Sequence, residues 1–174
     1  AKSFAVVADN EEELQAHLML VYTGLSRTAS EIAAEQIKAT ERKKEELRAM
    51  YGMVEEAVRI LQSGEDLSAF VRLLHEIWKL KRGLTHRIST PMIDQIYEEA
   101  LRAGAIGGKL LGAGGGGFLL LFVRPDRKAE VGESLDDCLQ VPVEFESDGS
   151  RIIFYEPGEG AKRAARLPAE SVES

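Results

Sequence analysis

The sequence predicts an α+β domain on a largely antiparallel sheet. Three observations point there: a first half dominated by helical periodicity, short segments that are apolar at successive positions, and a late alternating segment that runs into a hairpin turn. The size agrees, since 174 residues with 44% hydrophobic and 29% charged content suit one ordinary globular domain.

HLMLVY, from His17 to Tyr22, suits a strand buried on both faces, and Thr23-Gly24 ends it. With Ser26 as a candidate cap, a helix is expected from Thr28 to Gln62. There Leu47, Met50, Val54, Val58 and Leu61 recur at helical spacing, Gly52 offers a bend or a division, and Ser63-Gly64 a stop. Its charged run sets Glu41 four before Glu45 and Lys44 four before Arg48, so it reads as a solvated face rather than a set of ion pairs. Leu67, Phe70, Val71, Leu74, Ile77 and Trp78 form the core face of a second helix, which ends in Lys79, Lys81 and Arg82.

Thr90-Pro91 supplies a capping hydroxyl followed by proline in the first turn, and Gly104 closes the helix they start. A glycine loop then leads into the strand Gly117 to Val123. A short helix is expected from Pro125 to about Leu139. Val141, Val143 and Phe145 alternate along the next strand, and Asp148-Gly149 turns it back into Arg151 to Tyr155. Four strands with helices packed on one face suggest a split βαβ, ferredoxin-like arrangement with additional helices. Residues 1–156 are expected to form this domain and residues 157–174 a disordered tail.

Composition excludes several functions. A net charge of −7 argues against a nucleic-acid surface. The longest apolar run, Phe118 to Val123, is too short to span a bilayer, and the N-terminus lacks the apolar core of a signal peptide. The expectation is a soluble, cytoplasmic protein without a membrane partner. Cys138 stands alone, which rules out an internal disulfide and a cysteine-based zinc site, and it reads as inert packing on an apolar helix face. His17, His75 and His86 lack metal-ligand spacing and Trp78 belongs to a core stripe, so no metal site is assigned.

The glycines are unusual in placement. Of 16, half fall between Gly104 and Gly117. Gly112, Gly114 and Gly117 satisfy G-x-G-x-x-G, but a dinucleotide fingerprint must open a helix, and here a strand follows. The Walker A pattern fails because Leu110 stands where Ser or Thr is required. Two readings remain: a tight connection packed against neighbouring backbone, for which two or three glycines suffice, or a nest of amides that approaches a phosphate.

Basic residues offer further candidates. Arg27 at a helix start could hold a sugar phosphate, or be a surface residue beside a cap. Lys79, Lys81, Arg82 and Arg87 make a basic cluster that suits a phosphorylated substrate and equally suits a helix C-terminus. Lys109, inside the glycine-rich run, is the better basic candidate.

GGKLLGAGGGGFLLLF, Gly107 to Phe122, resembles the third conserved motif of the GHMP kinases. VYTGLSRTASEI (Val21 to Ile32) and LHEIWKLKRGLTHRIS (Leu74 to Ser89) resemble, more narrowly, the branch of D-glycero-D-manno-heptose 7-phosphate kinase-like sugar kinases. The resemblance spans about Glu13 to Tyr155. It implies a ferredoxin-like C-terminal domain in an ATP- and Mg²⁺-dependent kinase. The substrate it implies is a sugar phosphate, a heptose 7-phosphate phosphorylated at its anomeric hydroxyl. It sets Gly112, Ala113, Gly114, Gly115, Gly116 and Gly117 beside nucleotide and substrate, with Arg27, Lys109 and Arg82 as substrate-side candidates.

The family's first two motifs and its catalytic residues, which lie in an N-terminal half, have no counterpart here. The chain is therefore expected to be the C-terminal half, to pair with an N-terminal half, and to show no appreciable kinase activity alone. A face normally covered by that half would favour homo-oligomers. The alternative is a stand-alone ligand-binding or complementing domain.

Overall fold

In a computed structural model of the chain, residues 8–63 and 66–146 are described, with side chains from residue 11 onward. Two compact units are present, Ala1–Glu144 and Phe145–Ser174. The second contributes only Phe145 and Glu146 to the described residues. The turn Asp148-Gly149, the strand Arg151 to Tyr155 and the tail expected after residue 156 lie outside them.

The first unit runs α1 (Ala8–His17), β1 (Leu18–Tyr22), α2 (Ala29–Ala39), α3 (Lys44–Ser63), α4 (Ser68–Arg82), α5 (Pro91–Ala103), β2 (Ala105–Leu110), β3 (Phe118–Val123), α6 (Lys128–Ser134) and β4 (Leu139–Val141). The sheet order is β2-β3-β1-β4 and every pairing is antiparallel. β1 and β2 are thus parallel with β3 between them, and β3 and β4 are parallel with β1 between them. Two split βαβ units interlock, joined by α2–α5 and by α6, as a ferredoxin-like fold requires.

Both faces of the central strands are covered. Met19 and Val21 of β1 and Leu119, Leu121 and Val123 of β3 pack with Trp78, Ile93, Ile96 and Tyr97. Side chains alternate along a strand, so Leu18 and Phe122, a cross-strand pair, face the other way and meet Leu14, Leu61, Leu67 and Val71. This explains why HLMLVY is apolar at successive positions. It also corrects the expectation that helices occupy one face only.

Several boundaries differ from expectation for local physical reasons. His17 ends α1 instead of opening a strand: its Nδ1 lies 2.7 Å from the Glu13 carbonyl oxygen and its ring stacks on Phe122 at 4.6 Å. The long helix divides at Thr40–Lys43, a 3-10 turn, where the Thr40 hydroxyl donates to the Gln36 carbonyl (3.1 Å). Gly52 passes through α3 without a break. The charged run is a solvated face as expected, none of its side chains being buried, but it carries i,i+3 ion pairs that were not expected, Lys44 with Glu41, Lys43 with Glu46 and Arg48 with Glu45. The helix after Pro125 stops at Ser134, and β4 occupies Leu139–Val141 rather than Val141 to Ser147. Pro142 has no N–H to continue the ladder.

The largest correction concerns the glycine-rich run, whose first half is the edge strand β2. A Cβ on Gly108 would overlap the Leu120 carbonyl oxygen of β3, and one on Gly107 would lie 3.1 Å from Val71 Cγ1 of α4. These two glycines let a sheet edge and a helix close in. Lys109 is consequently a strand residue opposite Leu120, not part of the loop.

Candidate active site

The loop proper joins β2 to β3, so a strand precedes it as well as follows it. Gly112 has φ +69°, Gly114 +116°, Gly115 +74° and Gly117 +99°, conformations that L side chains rarely adopt. Packing demands more. A Cβ on Gly114 would sit 2.8 Å from Ile88 Cα, one on Gly115 would meet Ile32, and one on Gly116 would lie 2.5 Å from the Leu25 oxygen. Three of four consecutive glycines therefore answer to the protein's own interior, where the tight-connection reading allows two or three. Gly112 and Gly117 face open space. The Ala113 methyl packs against the main core.

The loop is held at nearly every step. Lys81 Nζ donates to the carbonyls of Gly112 (2.6 Å) and Leu110 (3.2 Å). Gln36 Nε2 donates to the Ala113 carbonyl (2.7 Å). The Gly115 amide donates to the Ile88 carbonyl and the Gly117 amide to the Leu25 carbonyl, both at 2.9 Å. The backbone N–H and hydroxyl of Thr23 both donate to the Gly117 carbonyl at 2.9 Å. Among the described residues, the amides of Gly112, Ala113, Gly114 and Gly116 have no acceptor.

Beside Gly115 opens a cavity of about 250 Å³, lined by Arg27, Glu31, Ile32, His86, Arg87 and Thr90. Arg27 is exposed, and its guanidinium has no hydrogen bond or ion pair among the described residues. Arg87 is tied to Glu35 at 3.1 Å and Glu31 at 4.0 Å. Thr28, not Ser26, occupies the N-cap position of α2, and its side chain makes no cap bond.

The basic cluster does not act as one. Lys79 pairs with Glu76. Arg82 pairs through one guanidinium nitrogen with Asp94 at 2.9 Å and lies over Trp78 at 5.8 Å, so it helps join α4 to α5. Lys81 turns into the loop base, where burial first and the nearby Lys109 ammonium second push its pKa down to about 8. Lys109 is half-buried and its ammonium carries no hydrogen bond among the described residues.

Beneath β2, Tyr97 Oη donates to the Gly108 carbonyl (3.3 Å) and lies 2.7 Å from His75 Nδ1, and burial pushes the phenol up to about 12. Cys138 lies in the turn after α6 rather than on a helix face. Burial, then Asp137, Glu99 and Asp136, push its thiol up, away from the reactive thiolate.

A second cavity, about 360 Å³, adjoins Glu99, Asp136 and Asp137 and has no basic lining residue, which disfavours a phosphorylated ligand. Among the described residues no three His, Cys, Asp or Glu converge to hold a metal ion, and no helix is long and apolar enough to cross a membrane.

Thr23, Gln36, Lys81 and Ile88 were not singled out in the sequence as loop supports. Their partners are remote in the chain, so no local signal marks them. Thr23, beside the strand-ending Gly24, carried the nearest hint.

Comparison with known proteins matches this geometry to one family. The family model of the GHMP kinases C terminal matches residues 53–140. D-glycero-alpha-D-manno-heptose 7-phosphate kinase of Campylobacter jejuni is 30% identical over 118 residues, covering 67% of this chain and 34% of that protein. A mevalonate kinase of Pyrococcus horikoshii is 31% identical over 132 residues, covering 72% of this chain and 39% of that one. The crystal structure of the Methanococcus jannaschii mevalonate kinase superposes with a TM-score of 0.66 at 28% identity, covering 80% of this chain and 43% of that chain. The match thus spans 34–43% of the length of each.

Proposed function

Because the chain belongs to the GHMP kinases, through their C-terminal domain, we propose that it serves as the C-terminal half of an ATP-dependent kinase acting on a sugar phosphate. The substrate we assign is a heptose 7-phosphate, phosphorylated at its anomeric hydroxyl. The carrying observation is the glycine loop, which among the described residues leaves the amides of Gly112, Ala113, Gly114 and Gly116 without acceptors and lines, through Gly115, the cavity that Arg27 enters.

Phosphoryl transfer is mainly positioning and neutralisation of charge on oxygen. Backbone amides do both without titrating, and Arg27 and Lys109 add positive charge on the substrate side. The cavity also presents Glu31, His86 and Thr90, hydrogen-bonding groups suited to sugar hydroxyls. For ATP, the described groups that fit are the amides of Ala113 and Gly114. For Mg²⁺ no ligand is assigned among the described residues, and no step is routed through a metal here. The catalytic residues are assigned to an N-terminal half, as the family resemblance implies.

A second reading, a mevalonate-type substrate, is favoured by the likeness to the Pyrococcus horikoshii enzyme. Calorimetric titration of the 174-residue chain with D-glycero-D-manno-heptose 7-phosphate and with mevalonate separates the two. The heptose phosphate is expected to bind, weakly, and Arg27→Ala to weaken it about tenfold, the loss of one or two charge-assisted hydrogen bonds. Binding of mevalonate alone, or an unchanged affinity in R27A, overturns the assignment. The chain by itself is expected to turn over no ATP.

A further inference from the structure

We infer that Lys81 and Gln36 are positioning residues that turn two successive loop peptides so that the amides of Ala113 and Gly114 stay free for phosphate oxygens; this rests on the proposed kinase function.

In a planar trans peptide, a carbonyl and the N–H that follows it point in opposite directions. Lys81 holds the Gly112 carbonyl at 2.6 Å, so the Ala113 N–H points away from Lys81. Gln36 holds the Ala113 carbonyl at 2.7 Å, so the Gly114 N–H points away from Gln36. The two anchors come from different helices, α4 and α2, yet they take adjacent peptides. Glycines flank both, and a glycine-rich backbone flips easily because no Cβ opposes it. A flipped peptide would present a carbonyl oxygen where the amide was, and a carbonyl repels phosphate. Something outside the loop must therefore select the orientation, and these two side chains do so.

The choice of a lysine supports a role beyond packing. Among the described residues Lys81 has no carboxylate partner; its bonds go to two neutral carbonyls. It is partly buried, and the Lys109 ammonium repels it. A half-buried cation without a counter-ion is costly, and a neutral hydrogen-bond donor would hold the carbonyls at lower cost. An anion at the adjacent amides would relieve that cost.

The test uses the ¹⁵N-labelled chain, inorganic pyrophosphate as the probe, and the variants K81M, K81R and Q36L. In the wild type, pyrophosphate is expected to shift the amide signals of Ala113 and Gly114 together and saturably. K81M and Q36L should each weaken this about tenfold, the loss of one well-placed donor set. They should also raise fast motion of residues 112–114 while leaving core signals around Trp78 in place. K81R should restore both properties, because a guanidinium can donate to two carbonyls at once.

Wild-type binding that persists unchanged in K81M and Q36L overturns the positioning role and leaves the kinase reading standing. Pyrophosphate that fails to shift either amide in the wild type overturns both at this loop. Failure of K81R to rescue, with disturbed core signals, reduces Lys81 to a structural residue and overturns the inference.

Discussion

Replacing Gly114 by alanine places two penalties on one carbon. The new Cβ would stand 2.8 Å from Ile88 Cα and 2.9 Å from the Ile88 oxygen, backbone atoms that cannot rotate away. The residue would also be held at φ +116°, outside the small left-handed well open to other residues. Backbone strain of this kind costs about 1–3 kcal/mol, and overpacking a tight contact about 1–3 kcal/mol more. The expected loss is about 2–6 kcal/mol, a large share of the roughly 5–15 kcal/mol that holds a typical domain together. Gly112 is the control. It sits at φ +69°, inside the left-handed well, with nothing within 4 Å of the would-be Cβ, so G112A should cost about 1–2 kcal/mol. Urea unfolding followed by the fluorescence of Trp78 reads both variants. With a slope of about 1–3 kcal/mol per molar urea, the G114A midpoint should fall below that of G112A by up to a molar or more. Equal midpoints, or a greater loss in G112A, would refute the claim that Gly114 is required by packing against Ile88.

Two further outcomes are expected. The Lys81 pKa is lowered on folding from 10.5 to about 8, so between those values the unfolded chain binds the proton more tightly. The penalty of burying the charge is then fully present below pH 8 and fades as pH rises towards 10.5. Wild-type stability measured against K81M should accordingly rise across that window, and a flat difference would show that Lys81 is not desolvated. Tyr97→Phe removes the donor to the Gly108 carbonyl and leaves the facing ring nitrogen of His75 without its partner. A loss of about 1–3 kcal/mol is expected by urea titration. In wild type, ultraviolet titration compared with that variant should show Tyr97 ionising only near pH 12.

The loop motif, α5 and the two central strands were legible in the sequence because each depends on neighbours. Thr90 accepts from the Ile93 amide, Pro91 follows it, and Gly104 closes the helix in a left-handed conformation at φ +119°, all within one helix length. β2 was not legible. AIGGKL has the composition of a loop, and it becomes a strand because β3 offers a free edge that only glycine can approach at Gly108. Arg82 stands out in the sequence because its neighbours in the chain are basic, whereas its pairing with Asp94, 12 positions away, carries no local signal.

By itself the sequence determined the family of the loop, the ends of α5 and the apolar faces of β1 and β3, since these follow from residues a few positions apart. Only the tertiary structure decided the sheet order, the dispersal of the basic cluster and the orientation of the loop peptides. Lys81 reaches Gly112 across 31 positions and Gln36 reaches Ala113 across 77. Hydrogen bonds between such distant residues depend on the path of the whole chain, and no local propensity encodes that path.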